Sequence, residues 1–175
     1  MACDPSNPRR ASRSDVFRRR WVAATAVALV AALGLLASQN IMWVDGLSML
    51  PSLKPGQLLF VNHLAVPAHG EVMVFRHTTS SHDDYIVKRV IGMPGDLILV
   101  DDGQVFVNGV QLEEPYVLAH DDYTYPIDKV AVRVPDDAYF VLGDNRPQSS
   151  DSHQGWFVTS GDLVGQALPL PLGGL

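Results

Sequence analysis

Three separated stretches place reactive polar side chains in apolar or turn-forming surroundings. The first, VDGLSMLPSLKPGQ over residues 44–57, sets Ser48 behind Asp45-Gly46 and ahead of Met49-Leu50-Pro51. A serine hydroxyl becomes a nucleophile when a neighbouring base takes its proton, yet on this segment alone an ordinary turn serine is the commoner reading. The second, DYIVKRVIGMPGD over residues 84–96, puts Lys88 inside a run of Ile and Val. Strand alternation sends Tyr85, Val87 and Arg89 to one face and Ile86, Lys88 and Val90 to the other. A lysine sharing a face with Ile86 and Val90 loses hydration, which favours the neutral amine and makes it available as a base; the competing reading is a lysine that snorkels at the edge of the core. The third, FVLGDNRPQSSDSHQGWF over residues 140–157, runs a strand into Gly-Asp-Asn-Arg and a serine-rich turn. By itself it specifies only a well-bonded loop.

Other polar residues are weaker candidates. His63, His69, His77, His82 and His120 raise a Ser/His/Asp alternative, but no GxSxG elbow surrounds Ser48 and none of these histidines stands in a recognisable catalytic context. AHDDYTYPIDKV, residues 119–130, is acidic and reads as a surface loop, because its Asp and His spacing matches no zinc or calcium pattern. The expectation is therefore no metal and no organic cofactor. The sole cysteine, Cys3, has no internal partner for a disulfide.

These stretches need elements to hold them, and from Gln57 onward the chain supplies short apolar or alternating runs punctuated by Gly, Pro, Asn and Asp. QLLFVNHL, EVMVFRH, DYIVKRVIG, DLILV, QVFVNG, VAVRV, AYFVLGD and DLVGQAL carry strand signals. Asp102-Gly103 and Asn108-Gly109 are tight-hairpin cues, since a two-residue turn needs positive φ, which these residues accept. No amphipathic run of helical length follows residue 44, so the fold class is mainly β.

The first twenty residues hold six arginines against Asp4 and Asp15, a local charge of +4 in a chain whose total is −6. The acidic remainder argues against nucleic acid as a partner, since phosphate binding needs clustered Lys and Arg. From Trp21 to Val44 there is no charged residue. A bilayer span needs roughly 20 apolar residues, against about 7–15 for the core of a cleavable signal peptide. The expected organisation is a basic cytoplasmic tail over 1–20, one transmembrane helix over 21–43 and a β domain over 44–175 across the membrane from the tail. The alternative is a signal peptide cut near Ala37 or Ser38.

Taken together, Ser48 in its SMxP context, Lys88 in KRVIGMPGD and the GDNRxxSxDS segment, in that order behind an apolar run, closely resemble the type I signal peptidases. The resemblance covers about residues 21–167 and looks most like the short, single-anchor form. It implies a catalytic domain on the outer face of the plasma membrane, with a Ser/Lys dyad in which Ser48 attacks the scissile carbonyl while the Lys88 amine takes its proton, and with the Ser48 backbone N–H as one oxyanion donor. Many relatives have serine at the position of Gly46, and its hydroxyl supplies the second donor; this chain lacks it. By the same match Ser149 orients Lys88, while Asp144, Arg146 and Asp151 form polar support and Asn145 fixes the turn. Two departures stand out. His153 occupies the usual place of an arginine, which implies weaker or pH-sensitive support for Asp151. Thr159 occupies the usual place of a proline, with only local consequences for backbone stiffness.

The implied partners are preprotein signal peptides ending in A-x-A, bound extended along a strand edge, and the lipid bilayer. A monomer is the expectation. A related Ser/Lys self-cleaving repressor would need a DNA-binding module, where this chain has an apolar run. A non-catalytic, membrane-anchored β domain is the rival from another class, and the presence of both Ser48 and Lys88 argues against it.

Overall fold

The computed structural model describes residues 13–38, 40–78, 83–117 and 123–171, with side chains left aside at 13–16, 31–38 and 83. His82 and His120 lie outside the described residues. The chain divides into two units, Met1–Asn40 and Ile41–Leu175.

The first unit contains one helix, α1, Arg13–Ser38. It begins within the segment expected to be the basic tail and ends before the expected end of the span at residue 43. Among the described residues no helix is long and apolar enough to cross a membrane. Ile41–Trp43, expected at the end of the apolar run, instead forms strand β1. Hydrogen bonds decide this: Ile41, Met42 and Trp43 lie opposite Phe60, Leu59 and Leu58, so a sheet edge satisfies backbone groups that a helix would otherwise pair.

The second unit is mainly β, as the alternating runs predict. All eight predicted strands form: β2 (Leu58–Asn62), β3 (Val72–Thr78), β4 (Asp83–Gly92), β5 (Leu97–Asp101), β6 (Gln104–Val107), β8 (Val132–Arg133), β9 (Ala138–Leu142) and β11 (Leu163–Pro169). β1, β7 (Val110–Gln111) and β10 (Val158–Thr159) form as well, outside the predicted strand runs. One antiparallel sheet runs β1-β2-β11-β3-β4-β9-β10 and a second runs β7-β6-β5-β8. Asp102 and Gly103 adopt φ of 51° and 73°, and Asn108 and Gly109 adopt 53° and 79°, so both hairpin cues become tight turns.

Alternation in β4 places Ile86 and Val90 in a cluster with Met73, Phe75 and Val141, whereas Val87 packs with Leu59, Val61 and Val74. A third cluster joins the sheets through Ile98, Val100, Phe140 and Leu142. Where it is described, segment 119–130 is half-buried to exposed, as a surface loop is expected to be, and it is pinned to the domain at one point. Tyr125 bridges Val100 through two backbone bonds of 2.7 and 2.8 Å, and Tyr123 and Tyr125 pack against the third cluster. Two aromatic rings in an otherwise polar segment supply enough apolar surface to dock it.

Candidate active site

Ser48 sits on a closed loop between β1 and β2. Val44 N–H donates to Gln57 O at 2.9 Å and Gly56 N–H to Val44 O at 2.8 Å, which ties the loop's ends together. Met49, 2 % exposed, plugs the core cluster below. Complete burial of such a side chain is worth roughly 1.5–3 kcal/mol, so the neighbour of Ser48 is held down while Ser48 itself stays half-buried. Gly46 lies exposed with φ of 119°, a backbone state that L side chains rarely adopt.

Lys88 is 4 % exposed in the middle of β4 and donates from Nζ to Ser149 Oγ at 2.7 Å. Burial pushes its amine below the ordinary lysine value, opposed in part by the charges of Asp151 and Asp144. Ser149 follows a short 3-10 helix, Arg146–Gln148, that leaves β9. The glycine between them is the pivot of the site: a Cβ on Gly143 would lie 2.2 Å from Ser149 Oγ and 2.6 Å from the carbonyl oxygen of Ser48. Ser149 and the Ser48 backbone carbonyl thus meet at Gly143, and Lys88 reaches the same place through its bond to Ser149.

Asn145 does more than fix its own turn. Its backbone N–H donates to Ser48 O at 2.9 Å and its Nδ2 to Leu47 O at 3.0 Å, clamping the Ser48 loop to the β9 loop. The three charged residues of that loop each have a separate partner. Asp144 takes a two-pronged contact from Arg89, with Nε to Oδ1 at 2.8 Å and Nη2 to Oδ2 at 2.6 Å. The Arg89 guanidinium also lies 3.9 Å from the centre of the Tyr116 ring and donates to Gly70 O at 2.6 Å. Arg146 forms a two-pronged pair with Glu114, both almost wholly buried, and donates from Nε to Gly143 O at 3.0 Å. Asp151 accepts Gly143 N–H at 2.9 Å, the His153 ring at 2.5 Å and the Ser149 hydroxyl. Burial alone would raise its carboxyl, but His153, the Gly143 amide and Ser149 outweigh that and hold it below the usual carboxylate range.

Several residues here escape a reading of the sequence. Strand alternation places Arg89 only on the face opposite Lys88; Glu114 and Tyr116 lie in a strap after β7, and nothing in LEEPY marks them as reaching Arg146 and Arg89. A charged residue beside Pro-Tyr after a hairpin is the faint signal available. Gly143 and Ser152, whose buried Oγ accepts Val141 N–H at 3.0 Å, complete the set. Thr159 lies apart, bonding Asp162 at 2.6 Å. The described histidines of the triad alternative have other partners: His63 contacts Val164 O, His69 contacts Asp96 and His77 stacks on Trp156. Among the described residues no cluster of His, Cys, Asp and Glu is suited to a metal.

What the geometry defines is a mainly antiparallel β domain with a buried lysine amine set against a serine-bearing turn. Residues 18–170 match the family described as signal peptidase, peptidase S26. The chain is 39 % identical over 145 residues to probable signal peptidase I-2 of Synechocystis sp., covering 76 % of this chain and 65 % of that protein. It is 38 % identical over 122 residues to signal peptidase I of Bacillus amyloliquefaciens, covering 64 % of each. It is 38 % identical over 162 residues to signal peptidase I of Bacillus caldolyticus, covering 85 % and 87 %. The matched region therefore spans slightly under two thirds of the first two relatives. A crystal structure of a signal peptidase I from Enterococcus faecalis aligns with a TM-score of 0.49 at 30 % identity, covering 58 % of this chain and 97 % of that one. This chain belongs to the signal peptidase, peptidase S26, family.

Proposed function

We propose that this protein is a membrane-bound serine endopeptidase that removes N-terminal signal peptides from exported preproteins, cutting after small residues by a Ser48/Lys88 dyad. The observation that carries the proposal is the buried Lys88 amine, 2.7 Å from the hydroxyl of Ser149, a residue that packs at Gly143 beside the Ser48 backbone carbonyl. A neutral Lys88 takes the Ser48 proton as Oγ attacks the scissile carbonyl carbon, and the resulting ammonium returns a proton to the departing amine. The Ser48 backbone N–H faces the developing oxyanion. Asp144, Asn145, Arg146 and Asp151 act as support, each through the partner described above.

The membrane part of the proposal is supported by the uncharged run Trp21–Val44 with arginines on its N-terminal side. Thr25, a polar residue within it, donates its hydroxyl to Trp21 O at 3.1 Å, so its hydrogen-bonding need is met inside α1. The names carried by the relatives support the choice of substrate. The test is cleavage of one model preprotein by the purified full chain and by Ser48→Ala. The variant should stay folded and lose roughly 10³-fold or more in turnover; retained activity in the folded variant removes the serine mechanism.

A further inference from the structure

Asp151 is wholly buried, and its carboxylate is the junction between the site and a histidine at its border. One oxygen accepts Gly143 N–H at 2.9 Å; the other faces His153 Nδ1 at 2.5 Å and its backbone N–H at 3.4 Å. Ser149 accepts from Lys88 at 2.7 Å, and the Asp151 carboxylate acts on both, drawing on the Ser149 hydroxyl and raising the Lys88 amine through its charge, so His153, Asp151, Ser149 and Lys88 are coupled. The imidazole stacks on Tyr123 with ring centres 4.7 Å apart, and its side chain keeps 23 % exposure. It borders an open pocket whose other charged lining residue is Asp128, so protons reach the ring from solvent.

We propose that His153 is a positioning residue that makes this site pH-sensitive: its imidazole orients the Asp151–Ser149–Lys88 chain and, by gaining or losing a proton, changes the negative charge that Lys88 faces. The inference rests on the reading of Lys88 as the base. Imidazole is the side chain that ordinarily changes charge between about pH 5 and 8. Protonated, it neutralises Asp151; neutral, it leaves a buried anion uncompensated near Lys88, which favours the ammonium form and delays its deprotonation. The other groups around His153 do not offset this. Burial pushes the Tyr123 phenol up to about 12, so it stays neutral. Arg146 behind it is paired with Glu114, and Asp144 with Arg89. Asp128 adds a further negative charge on the solvent side. A permanent cation at 153 would hold Asp151 compensated at every pH.

The experiment follows Lys88 directly by carbon-13 NMR of its Cε, assigned with Lys88→Met, in the full chain in detergent micelles. Initial rates against pH on one preprotein are measured alongside, for wild type, His153→Arg and His153→Asn. His153→Arg should lower the apparent pKa of Lys88 by roughly 0.5–1 unit, a partly solvent-screened fraction of the about 1–2 units that one charge about 6–12 Å away gives at an effective dielectric of about 20. Its rate near neutral pH should then be roughly 3- to 10-fold above wild type. His153→Asn should leave the alkaline limb where wild type has it, while lowering the rate at all pH values through lost orientation. Superimposable Lys88 titrations in wild type and folded His153→Arg, or an upward shift, overturn the proposal; a purely structural role would lower rates uniformly without moving Lys88. His153→Lys serves as the permanent cation if His153→Arg does not fold. Cleavage by folded Lys88→Met would instead sink the base assignment, and the NMR comparison would still decide the coupling.

Discussion

Replacing Gly143 with alanine adds one carbon at the point where the candidate site converges. That carbon would lie 2.2 Å from Ser149 Oγ, 2.7 Å from Ser149 Cβ and 2.6 Å from Ser48 O, where ordinary contact begins at 3.4 Å. Ser149 Oγ must therefore retreat by about 1 Å, and Ser48 O, a backbone atom held by Asn145 N–H, cannot rotate away alone. Overpacking of this kind costs about 1–3 kcal/mol. The larger effect falls on chemistry, because a 1 Å misplacement can cost roughly 100-fold in rate. The 2.7 Å bond from Lys88 to Ser149 is the contact most directly strained. The assay is preprotein cleavage under single-turnover conditions, paired with urea unfolding followed by tryptophan fluorescence. Gly161→Ala is the control, since its added carbon would meet only Thr159 Oγ1 at 3.7 Å. If Gly143→Ala matches Gly161→Ala in both rate and stability, the convergence on Gly143 is not the arrangement that matters.

Lys88→Met removes a buried amine whose folded-state pKa is held below its unfolded value. The unfolded wild type binds more protons than the folded one between those two values, so wild-type stability should rise with pH across that window toward about 10.5, whereas Lys88→Met should show no such rise; parallel pH–stability curves from urea melts would contradict the burial argument. Glu114→Gln leaves Arg146 as an uncompensated buried cation. It should destabilise by about 3–5 kcal/mol in the same melts, and a change under 1 kcal/mol would show the pair to be dispensable. For topology, protease added outside intact spheroplasts should digest the chain beyond Trp43 and spare the arginine-rich tail; protection of the body would reverse the proposed orientation.

The β architecture was legible in the chain because its signals are local. Alternation placed Ile86 and Val90 together, and Asp102-Gly103 and Asn108-Gly109 turned where positive φ is tolerated. Ser48 and Lys88 were legible only jointly, because the three motifs occur in one order, and Ser149 only through the family resemblance that this order carries. The pairing of Asp151 with His153 is local enough to be anticipated, but tertiary structure alone decided which charges neutralise Asp144 and Arg146. Asp144, Arg146 and Asp151 are neighbours in sequence, yet their partners are Arg89 on β4, Glu114 on a strap after β7 and His153 two residues on. Residue types indicate that a buried carboxylate must be paired, but many arginines could satisfy that need. The choice depends on which chain segments the two sheets bring within hydrogen-bonding distance. The same holds for Ile41–Trp43, whose apolar side chains suit a helix or a sheet edge equally, and whose backbone becomes a strand because Leu58–Phe60 lie beside it. Gly143 shows the limit most plainly: its need for a bare Cα comes from Ser48 and Ser149, residues that only the folded chain brings against it.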